Sequence, residues 1–158
     1  VMEGARPVLA EIQALLVQSN FGNPRRTSNG VDYNRAVLLQ AVLEKRGGLM
    51  ISSCDAYLNV IGGLFLSEPG VDLAIILAMA SSFRDKPLPE NLVAIGEVGL
   101  TGELRSVDRM NERLSEVRRL GFTQCMLPKG QSQGALRVPD GLQLIGVRNI
   151  REALTAII

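Results

Sequence analysis

Residues 73 to 80 read LAIILAMA, eight apolar residues without a break. On a helix such a run leaves no polar stripe, so the helix must be enclosed on every side. It is too short to cross a bilayer. A chain built round an apolar rod needs layers of structure on both sides of it. The residues just before it, SEPG at 67–70, look like a helix start: Ser67 can cap, Pro69 suits a first turn, and Gly70 lets backbone or ligand approach. Free N–H groups at such an end are expected to hold an anion or an oxyanion. That raises the question of which nucleophile would use them.

The rest of the chain supplies the layers. Arg6 to Val17 alternates and reads as a strand, SNFGNPRR at 19–26 as a loop, and Arg26 to Gly30 as a short strand. Asp32 caps a helix running through Lys45, with Val37, Leu38, Ala41 and Val42 on its inner face and Gly47 at the stop. AYLNVI at 56–61 is a strand closed by Gly62-Gly63, after which the apolar helix runs to about Phe83. RDKPLPEN is a loop, Leu92 to Gly96 a strand, and VGLTGEL a hairpin turning at Thr101-Gly102. Asp108 to Leu120 is amphipathic: Met110, Leu114 and Val117 inside, with Arg109, Glu112, Arg113, Glu116 and Arg119 outside, and Gly121 ending it. Strands at Gln124–Leu127 and Leu142–Val147 and a helix over Asn149–Ile157 complete the chain. Strands alternating with about four helices give a mixed α/β or α+β domain.

The chain is one domain in size, at 158 residues, and 46% apolar composition supplies a full core. It begins at Val1 and reads as a piece of a longer protein. Seventeen basic against sixteen acidic residues give a net charge of +1, so nucleic-acid binding would have to come from local patches. Histidine is absent, which excludes a Ser-His-Asp triad, a Cys-His pair and any histidine-ligated metal within this chain. Cys54 and Cys125 stand alone, without zinc-site spacing. Two buried thiols in a reducing cytoplasm are expected rather than a disulfide. No signal peptide is visible, and no membrane partner is expected.

The order of strand, Gly-Gly loop, EPGVDLA helix, IGEVGLTGEL hairpin and amphipathic helix, over Asn59 to Leu114, resembles the proteolytic domain of Lon proteases. The resemblance implies the ribosomal-protein-S5-domain-2-like fold of that family. It also implies a dyad of a serine after the helix-opening proline and a general-base lysine in the helix after the Gly-Glu…Gly hairpin. Here the serine position falls on Gly70. With Gly96, Glu97, Leu100 and Gly102 on the hairpin, counting on without a gap puts the lysine position at Asn111. Glycine offers no nucleophile and an amide takes no proton at neutral pH, so the domain is expected to be catalytically inactive, with no catalytic residue of its own. Ser67 reads as a cap. Asp72 reads as a first-turn acid favoured by the helix dipole, ahead of a pocket acid or a subunit contact.

Over nearly its whole length the chain is similar to the C-terminal domain of the bacterial RadA/Sms family, on EGARPVLAEIQALL, FGNPRR, GVDYNRAVLLQAVLEKRGGL, DAYLNVIGG and SSFRDKPLP. This implies a longer protein with an N-terminal zinc finger and a RecA-like ATPase core, using zinc, ATP and magnesium, none of them held by this domain. It implies an ATP-driven motor on single-stranded DNA and branched recombination intermediates, working beside a recombinase filament. A hexameric ring would be scaffolded by this domain, which would also touch DNA. No GxxxxGK[ST] and no CxxC occurs within these residues. The candidate phosphate contacts are Arg25 and Arg26 on the loop, Arg35 one turn into the following helix, and Lys45 and Arg46 at that helix's end. The plainer readings are solvated charge, a dipole complement for Lys45 and Arg46, and a subunit contact for the arginine pair. Arg109, Arg113, Arg118 and Arg119 read as partners of Glu112 and Glu116 on their own helix. Phe21 is a candidate for stacking on a base, with folding back onto the core the plainer reading. A pure oligomerisation module and a peptidase with a shifted dyad are the alternatives.

Overall fold

A computed structural model describes residues 1–20 and 22–158; both readings of Phe21 lie outside them. In chain order the strands and helices are β1 (Met2–Glu3), β2 (Arg6–Pro7), β3 (Ile12–Gln18), β4 (Arg26–Asn29), α1 (Tyr33–Gly47), β5 (Cys54–Val60), α2 (Asp72–Arg84), β6 (Leu92–Ala94), β7 (Glu97–Val98), β8 (Leu104–Arg105), α3 (Met110–Arg119), β9 (Gln124–Pro128), α4 (Lys129–Ser132), β10 (Gln143–Val147) and α5 (Ile150–Ile157). Short 3-10 turns occupy Ile61–Gly63 and Pro69–Val71.

The apolar helix is α2, and it sits where its composition demands. Leu73, Ile75, Ile76, Leu77, Met79 and Ala80 are almost wholly buried, each large side chain worth about 1.5–3 kcal/mol on burial. On one side lies a three-stranded sheet in the order β3-β5-β4, with β3 antiparallel and β4 parallel to β5. Cys54, Ala56, Leu58 and Val60 of β5 point at the helix, and Asp55, Tyr57 and Asn59 point away. On the other side a parallel sheet runs β10-β9-β6. Its central strand is buried on both faces, as parallel strands usually are. Met126 joins the core round α2, while Cys125 and Leu127 join a second core under α3 with Met110, Leu114 and Val117.

Five local expectations change. The strand expected over Arg6–Val17 is two pieces, because the chain first makes a β1–β2 ribbon and only then enters β3. On α1 the buried residues are Ala36, Leu39, Gln40, Val42 and Leu43, and Val37 and Ala41 are exposed. Apolar residues occupy nearly every position from 36 to 43, so the pattern did not fix the phase. The helix runs on to Gly47, and Gly48 caps it at φ 76°. Ser67 is exposed and makes no cap bond; a 3-10 turn at Pro69–Val71 leads into α2 instead. Arg113 is buried rather than outside.

Candidate functional site: a closed hollow and two arginine clusters

Gly70 lies at the bottom of a small, mostly apolar hollow of about 70 Å³ between α2, β6, α3 and the N-terminal ribbon. The N–H groups at the start of α2 are not free for an anion. Asp72 donates to the Pro69 carbonyl, Val71 to that of Glu68 at 3.4 Å, and Leu73 to that of Gly96 at 3.1 Å. The Gly70 carbonyl takes the Gly96 N–H at 3.0 Å, which locks the helix start to the strand beside it.

The hollow's polar wall is an ion pair. Arg113 reaches in from α3 with its side chain 6% exposed and meets the Glu68 carboxylate at 2.8 Å. Two further donors go to Asp108, from Nε to the carbonyl at 2.8 Å and from Nη2 to the carboxylate at 3.0 Å. The other Glu68 oxygen accepts the Met2 N–H at 2.6 Å. Arg109 holds the turn of the ribbon through the carbonyls of Gly4 and Ala5 at 3.3 and 3.5 Å. Val1 and residues 7–10 line one side of the hollow, and the ribbon is held by Glu68 at Met2 and by Arg109 at its turn. A Cβ built on Gly70 would stand 2.5 Å from Glu68 Oε2 and 3.1 Å from Val107 Cγ1. The glycine makes room for the ion pair as well as lacking a hydroxyl.

Asn111 does not share this hollow. Its Oδ1 accepts the Arg137 N–H at 2.9 Å, and it borders a separate surface recess with Ser115, Val138 and Pro139. The cation that reaches Gly70 is Arg113, two positions further on. Lysine occurs only at 45, 86 and 129, and none of the three lines the hollow. Arg113, paired with the Glu68 and Asp108 carboxylates, is a charge anchor and not a base.

Asp72 is not a solvated first-turn acid. It is fully buried, held by Arg35 through Nε at 3.0 Å and through Nη2, and by the Val98 N–H at 3.0 Å. Arg35 Nη2 also donates to the Val98 carbonyl at 3.2 Å. One carboxylate thereby ties α1, α2 and β7 together. Burial pushes the Asp72 carboxyl above its ordinary 3.8, against the pull of Arg35 and the Val98 N–H. Hydrogen bonding to Asp72 pushes Arg35 up.

The candidate phosphate contacts fall into two kinds. Arg35 is committed to Asp72, and Arg26 turns its guanidinium onto the carbonyls of Arg25, Cys54 and Ser52. Arg25, Lys45 and Arg46 are exposed. Arg25 is bound through its main-chain N–H, by Asp55 at 2.7 Å. Arg46 makes one long bond to the Leu100 carbonyl at 3.4 Å. The loop and the helix end are joined through Ser52: its carbonyl takes Arg26, and its N–H goes to Glu44 at 2.8 Å. Arg151, not anticipated from the sequence, adds a further exposed cation by donating to the Arg46 carbonyl at 3.2 Å. Nothing in the local pattern of α5 signals that contact, which spans more than a hundred residues.

Among the described residues no three Cys, Asp or Glu side chains gather as metal ligands, and no helix is long and apolar enough to cross a membrane. The thiols are both buried and unpaired, and burial pushes Cys125 up to about 12.

The family of Lon protease (S16) C-terminal proteolytic domains matches residues 62–158, the part of the chain that carries α2, the hairpin and α3. The chain is 52% identical over 153 residues to the DNA repair protein RadA of Bacillus subtilis, covering 97% of this chain and 33% of that protein. It is 49% identical over 156 residues to the DNA repair protein RadA of Streptococcus pneumoniae, covering 99% and 37%. The DNA repair protein RadA of Listeria monocytogenes is 50% identical over 153 residues, covering 97% and 33%. The chain thus spans about a third of the length of these curated relatives.

Proposed function

The chain belongs to the Lon protease (S16) C-terminal proteolytic domain family, and from that premise we propose that it is a non-cutting module of a RadA-like DNA repair protein. It scaffolds a hexameric ring and offers an extra contact for DNA. The observation that carries this reading is the closed hollow: where a peptidase needs a hydroxyl and a basic amine, the chain places Gly70 against a Glu68–Arg113 pair beneath its own N-terminal ribbon. The likeness to the three repair proteins over nearly the whole chain supports the repair context.

The larger protein would be a cytoplasmic ATPase driven along single-stranded DNA, acting on branched intermediates beside a recombinase filament. Zinc, ATP and magnesium would belong to its other parts. DNA contact here falls on Arg25, Lys45 and Arg46, whose charges are exposed, while Arg26 and Arg35 position the backbone beside them.

Fluorescence anisotropy with labelled single-stranded DNA at low salt tests the contact. Arg25→Ala/Lys45→Ala/Arg46→Ala should weaken binding and flatten the salt dependence by about 0.7 in slope per lost phosphate contact. Unchanged affinity overturns the site. A wild-type chain that binds no DNA leaves scaffolding as its sole role.

A further inference from the structure

β3 is the outer strand of its sheet, and its register fixes which main-chain groups face away. Ile61 donates to the Glu11 carbonyl at 2.9 Å, and Ser19 to that of Ser53 at 3.0 Å. Bonded and non-bonded pairs alternate along antiparallel strands, so the odd-numbered β3 residues bond β5. Ile12, Ala14, Leu16 and Gln18 turn their N–H and C=O groups outward. The Leu16 N–H is taken by Ser82 Oγ at 2.9 Å. The outward N–H groups of Ile12 and Ala14 have no partner among the described residues, although both residues are half-buried. Unpaired edge groups of this kind pair readily with another strand.

They face a groove. Two recesses of about 590 and 430 Å³ share Ile12, Ala78 and Leu88 as lining. Ala78 of α2 forms the floor, and Pro87 and Leu88 form the wall opposite β3. The outward edge of β6, at Leu92 and Ala94, closes one end. Small and aliphatic groups line the middle. The rim carries Glu11, Asp85 and Glu90 against one cation, Lys86. Gly70, Glu68 and Arg113 line neither recess, and Ala78 lies about two turns along α2 from Gly70.

We propose that this groove takes an extended strand of a partner protein, added to the edge of β3 through the main chain of Ile12 and Ala14. The strand carries small or β-branched apolar side chains, with a Lys or Arg at its flank. Main-chain bonds hold such a strand, and alternate side chains select it. The acidic rim supplies the preference for a basic flank and disfavours a phosphate backbone. A second copy fits less well. Its own 85–90 connection would compete for the same space, and the bond from Ser82 leaves too short a free edge to join two folded sheets. The inference stands apart from DNA contact and fails or holds independently of it.

The test uses the 158-residue chain and a capped, fluorescein-labelled peptide, KVTVTVK, with fluorescence polarisation and amide NMR shifts. Saturable binding is expected, with the largest shifts at Ile12, Ala14 and Leu88. The same peptide N-methylated at its central valine, which cannot donate there, should bind at least about tenfold more weakly, ~1.4 kcal/mol. Ala14→Pro removes one outward N–H at a position where an edge strand tolerates proline, and should weaken binding similarly. Glu11→Gln/Glu90→Gln should weaken KVTVTVK severalfold and leave QVTVTVQ unchanged. Absence of saturable binding at millimolar peptide overturns the proposal, as does equal affinity for the N-methylated form. Dimerisation of the free chain that Ala14→Pro abolishes would assign the edge to a second copy and overturn it too.

Discussion

Asp72 decides more at the residue scale than its place in the sequence suggested. Its partner Arg35 lies 37 positions away and Val98 lies 26 away, so no local rule could pair them. Asp72→Ala should cost about 2–4 kcal/mol in urea unfolding, because the Arg35 guanidinium and the Val98 N–H lose their acceptor in a buried site. A loss below a few tenths would mean that the clamp carries no stability. The pH dependence has a definite sign. A carboxyl whose folded value lies above its unfolded one stabilises the fold most below the unfolded value, and that share is lost as pH rises through the folded one. The stability of wild type relative to Asp72→Asn should therefore decline as pH climbs from about 4, and a flat difference would contradict the upward shift. Cys125, pushed up to about 12, should resist iodoacetamide at neutral pH until the chain is unfolded. Alkylation of the native chain at the unfolded rate would refute its burial.

At the scale of elements, α2 was the most legible part of the chain, since eight apolar residues in a row admit only a buried helix. The hairpin was legible for a different reason. Gly102 at φ 81° sits against the side chains of Arg46 and Ile150, and Thr-Gly between short strands signals that turn. α1 was legible in extent and not in phase. The N-terminal strand was misread because alternation continues through the ribbon, whose break depends on Met2 reaching Glu68, 66 positions away. The same distance hid the hollow's closure: Arg113 has a helical surface spacing, and its burial follows from Glu68 in another element. Gly30 links two elements at φ 90°, and a Cβ there would stand 2.6 Å from Leu64 O and Val60 Cβ. Gly30→Ala should lower the melting temperature through a loss of about 2–4 kcal/mol, and an unchanged melting curve would show that the β4–α1 turn can shift freely.

For the whole molecule, the chain carries the fold of the Lon C-terminal proteolytic domain family, and its hollow at Gly70 is lined by an ion pair and the N-terminal ribbon. Two sheets flank α2, Gly70 lies in the hollow, and Val1 and residues 7–10 line the same hollow. Counting residues against the Lon pattern placed Gly70 in the hollow but put Asn111 at a separate recess, and it is Arg113 that reaches Gly70. The hollow's lining was not legible, because it takes an ion pair between α3 and the α2 approach together with the N-terminal ribbon. On the proposed reading, the lining of the hollow opposes cutting as well as the two residue changes do. Restoring one hydroxyl should restore nothing, and Gly70→Ser should also destabilise the chain by about 1–2 kcal/mol as Glu68 is pushed aside. The most direct measurement is hydrolysis of unfolded casein by the purified chain, run beside Gly70→Ser. The expected result is no cleavage by either protein. Cleavage by the wild type that is lost on substituting Glu68 or Arg113 would show a working reaction centre in the hollow and contradict the account.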